Sequence, residues 1–571
     1  MSRLAASKPA ELLGDPLSAD AVGQALSVLR GIVKSCYGPA GRLKQLHNGV
    51  GGYVRTSSQS SAVLGQLCAT HPVLRVVLAS VQSHLSHCAD GGLFTAILCC
   101  HLIENFRSLS VAPCTVVRVS QHLLGLCMDY LRSEGCACRV SVDFSHVETL
   151  LCLVRSILTS KPACMLQKPE VDHLAILILK AFMFTVPCHV DTRAVLGKCV
   201  IVPVKGTRVV DSTVLPGLLI EMPRMQLAAP LTVKRTGSNV VKTALFCVSM
   251  AGDCFSPEEG TVAVQQGVSL ELAQLTQLLD IGKQLVKDEV GLVVCQKVIH
   301  PSLKQYLKEN SVLAVDRAGL ALMEPLTLMT GSKPIASIHL LSLNYGSLQD
   351  VCVESFASKH FLHLIPNDTA VCSLVLCNRN ETAWHELKRA CEAAEHMLQL
   401  TVKEPLALLG GGCTETHLAS YIRHKSCSLP TSSFEDLGCS CTQYLLVADG
   451  FCHALESVAC SLNHDGGETL TDMDYGHCWF VPSAVPSVSN WSELVSRCGC
   501  GINGNTVNLS WRLLQGQAGS AVRQGCPKEP PGKAADLLTL DCFAAKCSGL
   551  QVALDTANLI LDLSYVIEDQ N

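Results

Sequence analysis

The sequence predicts a multidomain protein with α and α/β parts. Three observations carry this: apolar residues recur at helical spacing towards both ends, β-branched runs alternate with helical segments in the middle, and the chain is too long for one core. In HPVLRVVLASVQSHLSH (71–87), Val73, Val77, Val81 and Leu85 stand four apart on one helical face. The acidic-glycine stretch CADGGLF (88–94) follows, so a helix–turn–helix joint is expected there. Two further helices, broken by a Lys-Pro turn, are expected over 146–185. The middle differs. VGLVVC (290–295), SVLAVD (311–316) and CSLVLC (372–377) read as strands, and the first two alternate with the helical SLELAQLTQLLDIGKQLVKDE and GLALMEPLTLMTG. That rhythm describes an α/β domain inserted into a helical protein. After residue 385 the chain returns to helix and ends with LQVALDTANLILDL, where Leu550, Ala553, Leu554, Ala557 and Leu561 share a core face. Two stretches rich in Ser, Gly, Pro and Cys, 424–441 and 515–536, read as long surface loops or disorder.

Composition narrows the function classes. With 571 residues, 48% of them hydrophobic, about three domains are expected. The 44 Lys and Arg against 49 Asp and Glu leave a net charge of -5, with no broad basic field for nucleic acid or an anionic membrane. The chain shows neither a secretory h-region at its start nor an apolar run of about 18 residues, so a soluble, intracellular protein without membrane insertion is expected. Many of its 32 cysteines lie inside apolar runs such as LVVC, VCSLVLC and ILCC, and read as reduced, buried thiols. The close pairs Cys136/Cys138, Cys439/Cys441 and Cys498/Cys500 lack the two-residue gap of a zinc knuckle, so no zinc site is expected. His385 and His396 are too far apart for a His-Glu-x-x-His pair.

Five stretches carry the candidate chemistry: CYGPAGRLKQL (36–46), RTSSQSSAVL (55–64), CADGGLFTAILCC (88–100), LLGGGCTETHL (408–418) and LDCFAAKCSGLQVA (540–553). Glycine turns entering helices let backbone amides approach an anion, and an adjacent carboxylate is placed to meet its metal. In this order and spacing they resemble the group II chaperonins, the family of the eukaryotic cytosolic chaperonin CCT. Tyr37-Gly38-Pro39-Ala40-Gly41 with Lys44 and Leu46 is similar to the family's LGPKG turn, and His71-Pro72 with ADGGL is similar to its HP and GDGTT. Gly410, Gly411, Gly412, Cys413, Glu415 and Leu418 match its GGGA.E..L, and DSTVLPGLLIE (211–221) resembles the opening of its apical domain.

The resemblance implies a group II chaperonin fold: a helical equatorial domain from 1–145 and 405–571, an intermediate hinge from 146–210 and 360–404, and an α/β apical, partner-binding domain from 211–359. It also implies a degenerate ATP site at Gly38, Pro39, Asp90, Gly91, Gly410, Gly411, Gly412 and Asp541. Asp90 is the metal candidate, and only through magnesium carried by the nucleotide. The departures point away from catalysis. Gly92 and Leu93 stand where the family has paired threonines; Ser58-Gln59-Ser60-Ser61-Ala62 aligns with the NDGAT loop without its acid; and Ala393, beside Glu392, takes the place of the second catalytic Asp. Weak binding of ATP and magnesium is the most this site is expected to retain. A separate stretch, TRAVLGKC (192–199), offers Gly197 and Lys198 as a remote phosphate-loop option, with Thr192 and Cys199 replacing its first glycine and last hydroxyl.

SCYGPAGRLKQLHNG, FTAILCC and ANLILDLSYVIED look like the divergent Bardet–Biedl chaperonin-like branch. That likeness implies a chaperonin-like assembly factor, not an enzyme, in the cytoplasm and at the centrosome or basal body. Its implied partners are related chaperonin-like subunits, CCT subunits and subunits of the BBSome, the coat complex of ciliary membrane traffic. The competing expectations are an active ATP-dependent folding subunit using Asp90 and Glu392, and a thiol-rich redox or metal protein, which the missing Cys-x-x-Cys disfavours.

Overall fold

The computed structural model describes residues 11–14, 17, 20–47, 51–52, 54–69, 71–187, 196–222, 233–236, 239–252, 269–336, 344–367, 371–472, 476–481, 498–501, 509–514, 523–525 and 538–568. The chain divides into two compact units: Met1–Ala175 with His385–Asn571, and Ile176–Trp384. Among the described residues no helix is long and apolar enough to cross a membrane.

The first unit is built around helix Gly92–Arg107, GLFTAILCCHLIENFR, which is apolar on nearly every side and buried from Gly92 to Cys100. A helix apolar all round needs neighbours all round. They are Asp20–Lys34, Pro72–Cys88, Cys441–Cys460 and Phe543–Leu561. In the last of these, Leu550, Ala553, Leu554, Ala557 and Leu561 are buried together, as their spacing predicts. The joint at 88–94 is present: Pro72–Cys88 ends on Ala89 in the left-handed conformation, Gly91 precedes the next helix, and three residues connect the two. Helices Val147–Thr159 and Lys168–Phe184 flank the expected break, where Lys161 enters a short turn at Pro162–Cys164.

A three-stranded antiparallel sheet, in the order Leu540–Cys542, Leu406–Leu409, Arg139–Ser141, brings distant parts of this unit together. Leu408 pairs with Asp541, so the glycines that follow Leu409 emerge beside the Asp541 carboxylate. The return to helix after 385 is only part of the outcome. Glu468–Asp472, Cys478–Val481, Leu509–Leu513 and Arg523–Gly525 form a four-stranded sheet. The expected loop at 424–441 is also corrected, because it holds the end of helix Cys413–Ser428, helix Thr431–Asp436 and the start of helix Cys441–Cys460. Phe434 anchors it, buried with its ring 5.2 Å from that of Tyr444, and Ser440 and Gln443 form a reciprocal cap on the following helix. Of the stretch 515–536, only the strand Arg523–Gly525 falls among the described residues.

The second unit is α/β. Leu313–Val315, Leu292–Cys295 and Val241–Phe246 lie parallel in one sheet, completed by antiparallel Gly346–Leu348, and LVVC is buried throughout, as a strand covered on both faces must be. Helices Leu270–Lys287, Pro301–Glu309 and Leu320–Thr330 accompany it. Val371–Asn378 runs parallel to Lys198–Lys205 in a second sheet, and Asp350–Phe356, Lys359–Ile365 and Leu218–Met222 make a third.

One buried acid ties the 55–64 stretch to the first unit. Glu386, fully buried, accepts from Arg55 (2.6 Å) and the Ser57 hydroxyl (2.9 Å), while the Gln59 amide donates to its backbone carbonyl (2.8 Å). Glu386→Ala leaves a mostly buried guanidinium and a buried hydroxyl without their acceptor, and should cost about 2–4 kcal/mol in denaturant unfolding. Glu386→Gln, which keeps an acceptor, should cost less; equal midpoints for the wild type and the alanine variant would contradict this role.

Candidate functional site

A cavity of about 450 Å³ lies within the first unit, a size suited to a small organic ligand. Its wall includes Gly38, Pro39, Asp90, Gly91, Gly411, Gly412 and Asp541, so the structure gathers seven of the eight residues expected to surround a nucleotide. The eighth, Gly410, is adjacent: its N–H donates to the Thr539 carbonyl at 2.8 Å, and Asp541 Oδ1 lies 3.2 Å from where a β-carbon would stand.

The turn from the strand to helix Cys413–Ser428 is shaped by contact with neighbouring backbone. Gly411 has φ +65°, and a β-carbon there would stand 2.0 Å from the Gly499 carbonyl oxygen. Both the dihedral and the space demand glycine. At the other turn, His84 lies under Asp90 with Nε2 3.1 Å from the Asp90 carbonyl oxygen and Nδ1 3.0 Å from the Ser548 hydroxyl. Burial lowers the His84 pKa and favours the neutral ring. The hydroxyls expected to be missing are missing for a packing reason as well. A β-carbon on Gly92 would meet the Leu85 side chain at 2.7–2.9 Å, and Leu93 and Phe94 present apolar side chains to the cavity. Thr95 turns back to the Gly91 carbonyl at 3.0 Å, a bond within its own helix.

The charges in the cavity are paired. Lys161 Nζ sits 2.7 and 2.8 Å from the two Asp90 oxygens, with both side chains largely buried. Opposite, Lys546 Nζ lies 2.7 Å from Asp541 Oδ2, 2.6 Å from Glu415 Oε1 and 4.1 Å from the Phe94 ring centre. Burial opposes the Lys546 charge, but Asp541 and Glu415 outweigh it and hold the ammonium well above the usual lysine range. Tyr37 also lines the cavity, and desolvation there pushes its phenol up. Lys161 and Lys546 are neighbours of the cavity that sequence reasoning missed. LDCFAAKC contains Lys546, but only the fold shows that its charge turns inwards.

The candidate water-positioning groups do not reach this wall. Ser57 to Ser60 are buried, and Gln59 is spent on Glu386. On helix Glu381–Lys403, Met397 faces the cavity and Ala393, one turn earlier, is buried, whereas Glu392 is half exposed and pairs with Lys388 at 3.7 Å. Glu392 is therefore not among the residues that line the cavity. The remote option at Gly197 and Lys198 is corrected too: both belong to the second unit, where Gly197 donates to the Thr185 carbonyl (2.6 Å) and Lys198 opens strand Lys198–Lys205 and pairs with Glu324. A phosphate loop must lead into a helix N-terminus, and a strand exposes no such row of N–H groups.

The model of the TCP-1/cpn60 chaperonin family matches residues 29–571. Molecular chaperone MKKS of Homo sapiens is 58% identical over 573 residues, covering 100% of each chain, and its namesake in Mus musculus is 54% identical over 572 residues with the same coverage. The thermosome subunit beta of Sulfolobus acidocaldarius is 23% identical over 459 residues, which is 78% of this chain and 77% of that one.

Gly411→Ala should cost about 2–4 kcal/mol, from the dihedral and the clash with Gly499 together, read as a fall in melting temperature or soluble yield. Gly31→Ala, on a helix with nothing within 4 Å of the added carbon, should be neutral or stabilise by about 1 kcal/mol. Equal behaviour of the two variants would refute the packing role of the turn.

Proposed function

The chain belongs to the TCP-1/cpn60 chaperonin family, and we propose that it acts there as a chaperonin-like assembly factor that does not hydrolyse ATP itself. The observation that carries this reading is the Lys161 ammonium bridging both oxygens of Asp90. Phosphoryl transfer needs a metal on the phosphates and a water held in line. Here the acid suited to that metal is already paired with a cation, Gly92 and Leu93 follow Gly91 where hydroxyls would be needed, and the stretches at Ser58–Ser61 and Ala393 bring no carboxylate. The glycine turns at Gly38 and at 410–412 keep a backbone cradle, which is compatible with weak binding of ATP and magnesium.

Work on partners then falls to surfaces. Leu272, Leu320 and Leu328 are exposed on helices of the second unit, apolar side chains available to a partner chain. The relatives above are named molecular chaperones, which supports a role in folding or assembly. The likeness to the Bardet–Biedl branch extends the proposal to assembly of the BBSome at the centrosome or basal body, alongside related chaperonin-like and CCT subunits.

Steady-state phosphate release tests this. Purified protein should stay at the enzyme-free background beside an active chaperonin, and Ala393→Asp should stay there too, because Lys161 still holds Asp90 and the Ser58–Ser61 loop still lacks an acid. Turnover of either protein near the active chaperonin's rate would replace this reading with that of an ATP-driven folding subunit.

A further inference from the structure

Directly behind the Gly410–Gly412 turn, four metal-ligating side chains converge from three separated stretches. Cys413 opens helix Cys413–Ser428, His477 precedes strand Cys478–Val481, and Cys498 and Cys500 flank Gly499 in a turn. Their ligand atoms all lie within 4.8 Å of one another. Cys498 Sγ is 3.1 Å from Cys413 Sγ and 3.2 Å from His477 Nδ1, and Cys500 Sγ is 3.7 Å from the same nitrogen. All three cysteines are free and buried. Elsewhere most buried thiols sit among apolar side chains and need no explanation; two sulfurs against one imidazole nitrogen, with a third sulfur against one of them, do.

The backbone frames the cluster. Gly499 N–H donates to the Cys478 carbonyl (2.7 Å), Gly501 N–H to that of Cys498 (2.8 Å) and Thr539 N–H to that of Cys500 (2.8 Å). A tetrahedral zinc with Zn–S bonds of about 2.3 Å separates its ligand atoms by roughly 3.8 Å, so the cluster needs to open by well under 1 Å along its shortest edges. Three soft thiolates and one imidazole, with no ligand position left over, are the donor set of a closed structural zinc site.

We propose that Cys413, His477, Cys498 and Cys500 bind one zinc ion as a structural Cys₃His site. Binding releases the three thiol protons to solvent. The ion would join the first residue after the glycine turn to the segments carrying His477 and Gly499, and so fix the wall of the cavity on which Gly411 rests. Sequence spacing hid this site: Cys498 and Cys500 have one residue between them, and the other two ligands are far away in the chain.

Full-length protein purified without chelator should contain about one zinc per chain by elemental analysis. Stripped under reducing conditions and titrated with cobalt(II), it should develop the visible bands of a tetrahedral cobalt–thiolate centre, saturate at one equivalent and lose the bands when zinc is added. Cys500→Ser and His477→Ala should lower zinc content about tenfold or more, His477→Cys should retain it, and Cys377→Ser, buried elsewhere, should not change it. The cobalt spectrum of the wild type decides the matter even if a variant fails to fold. Reduced protein that yields no such spectrum, zinc retained equally in Cys500→Ser and His477→Ala, or a native disulfide between Cys413 and Cys498 would each overturn the proposal.

Discussion

The buried ammonium of Lys546 holds the walls of the cavity together. It reaches Asp541 on one strand, Glu415 on the helix after the glycine turn and the face of Phe94 on the central helix, so three segments distant in sequence meet at a single cation. A buried charge that loses a partner costs about 3–5 kcal/mol, which makes the arrangement close to obligatory once the helices pack. The same pairing spends Asp541 within the protein, and Lys161 does likewise for Asp90. The site thus pairs both of these acids with the protein's own cations.

The glycine turn persists for structural reasons of its own. Its strand pairs with Leu540–Cys542, its middle glycine lies against Gly499, and its last residue leads into Cys413. None of these contacts involves a phosphate. A turn held by packing keeps its shape with or without a phosphate, and Leu93 shares its cavity wall.

Local periodicity made much of the fold legible. The 88–94 joint, the helix pair after residue 146, the apolar strands of the second unit and the face of the last helix each follow from residues close in sequence. So does the membership of the cavity wall, because the glycine turns and Asp90 carry a family pattern. What escaped depends on distant partners. The four-stranded sheet after Glu468 is built from short strands with little alternation to read. The 424–441 stretch looked like a loop from its Ser and Cys content, yet Phe434 finds Tyr444 and the segment coils into helix. Glu392, one residue from the position that the spacing gives, sits on the solvent side of its helix. Lys161, Lys546 and the Cys413–His477–Cys498–Cys500 cluster are pairings in space that no local pattern encodes.

The most direct test of a self-neutralised site is equilibrium binding of ATP to the purified chain with and without magnesium. With Asp90 held by Lys161, the affinity should be weak and the same in both conditions. Tightening of about tenfold or more on adding magnesium, some 1.4 kcal/mol, would mean that Asp90 leaves Lys161 for the metal, and the account would fail.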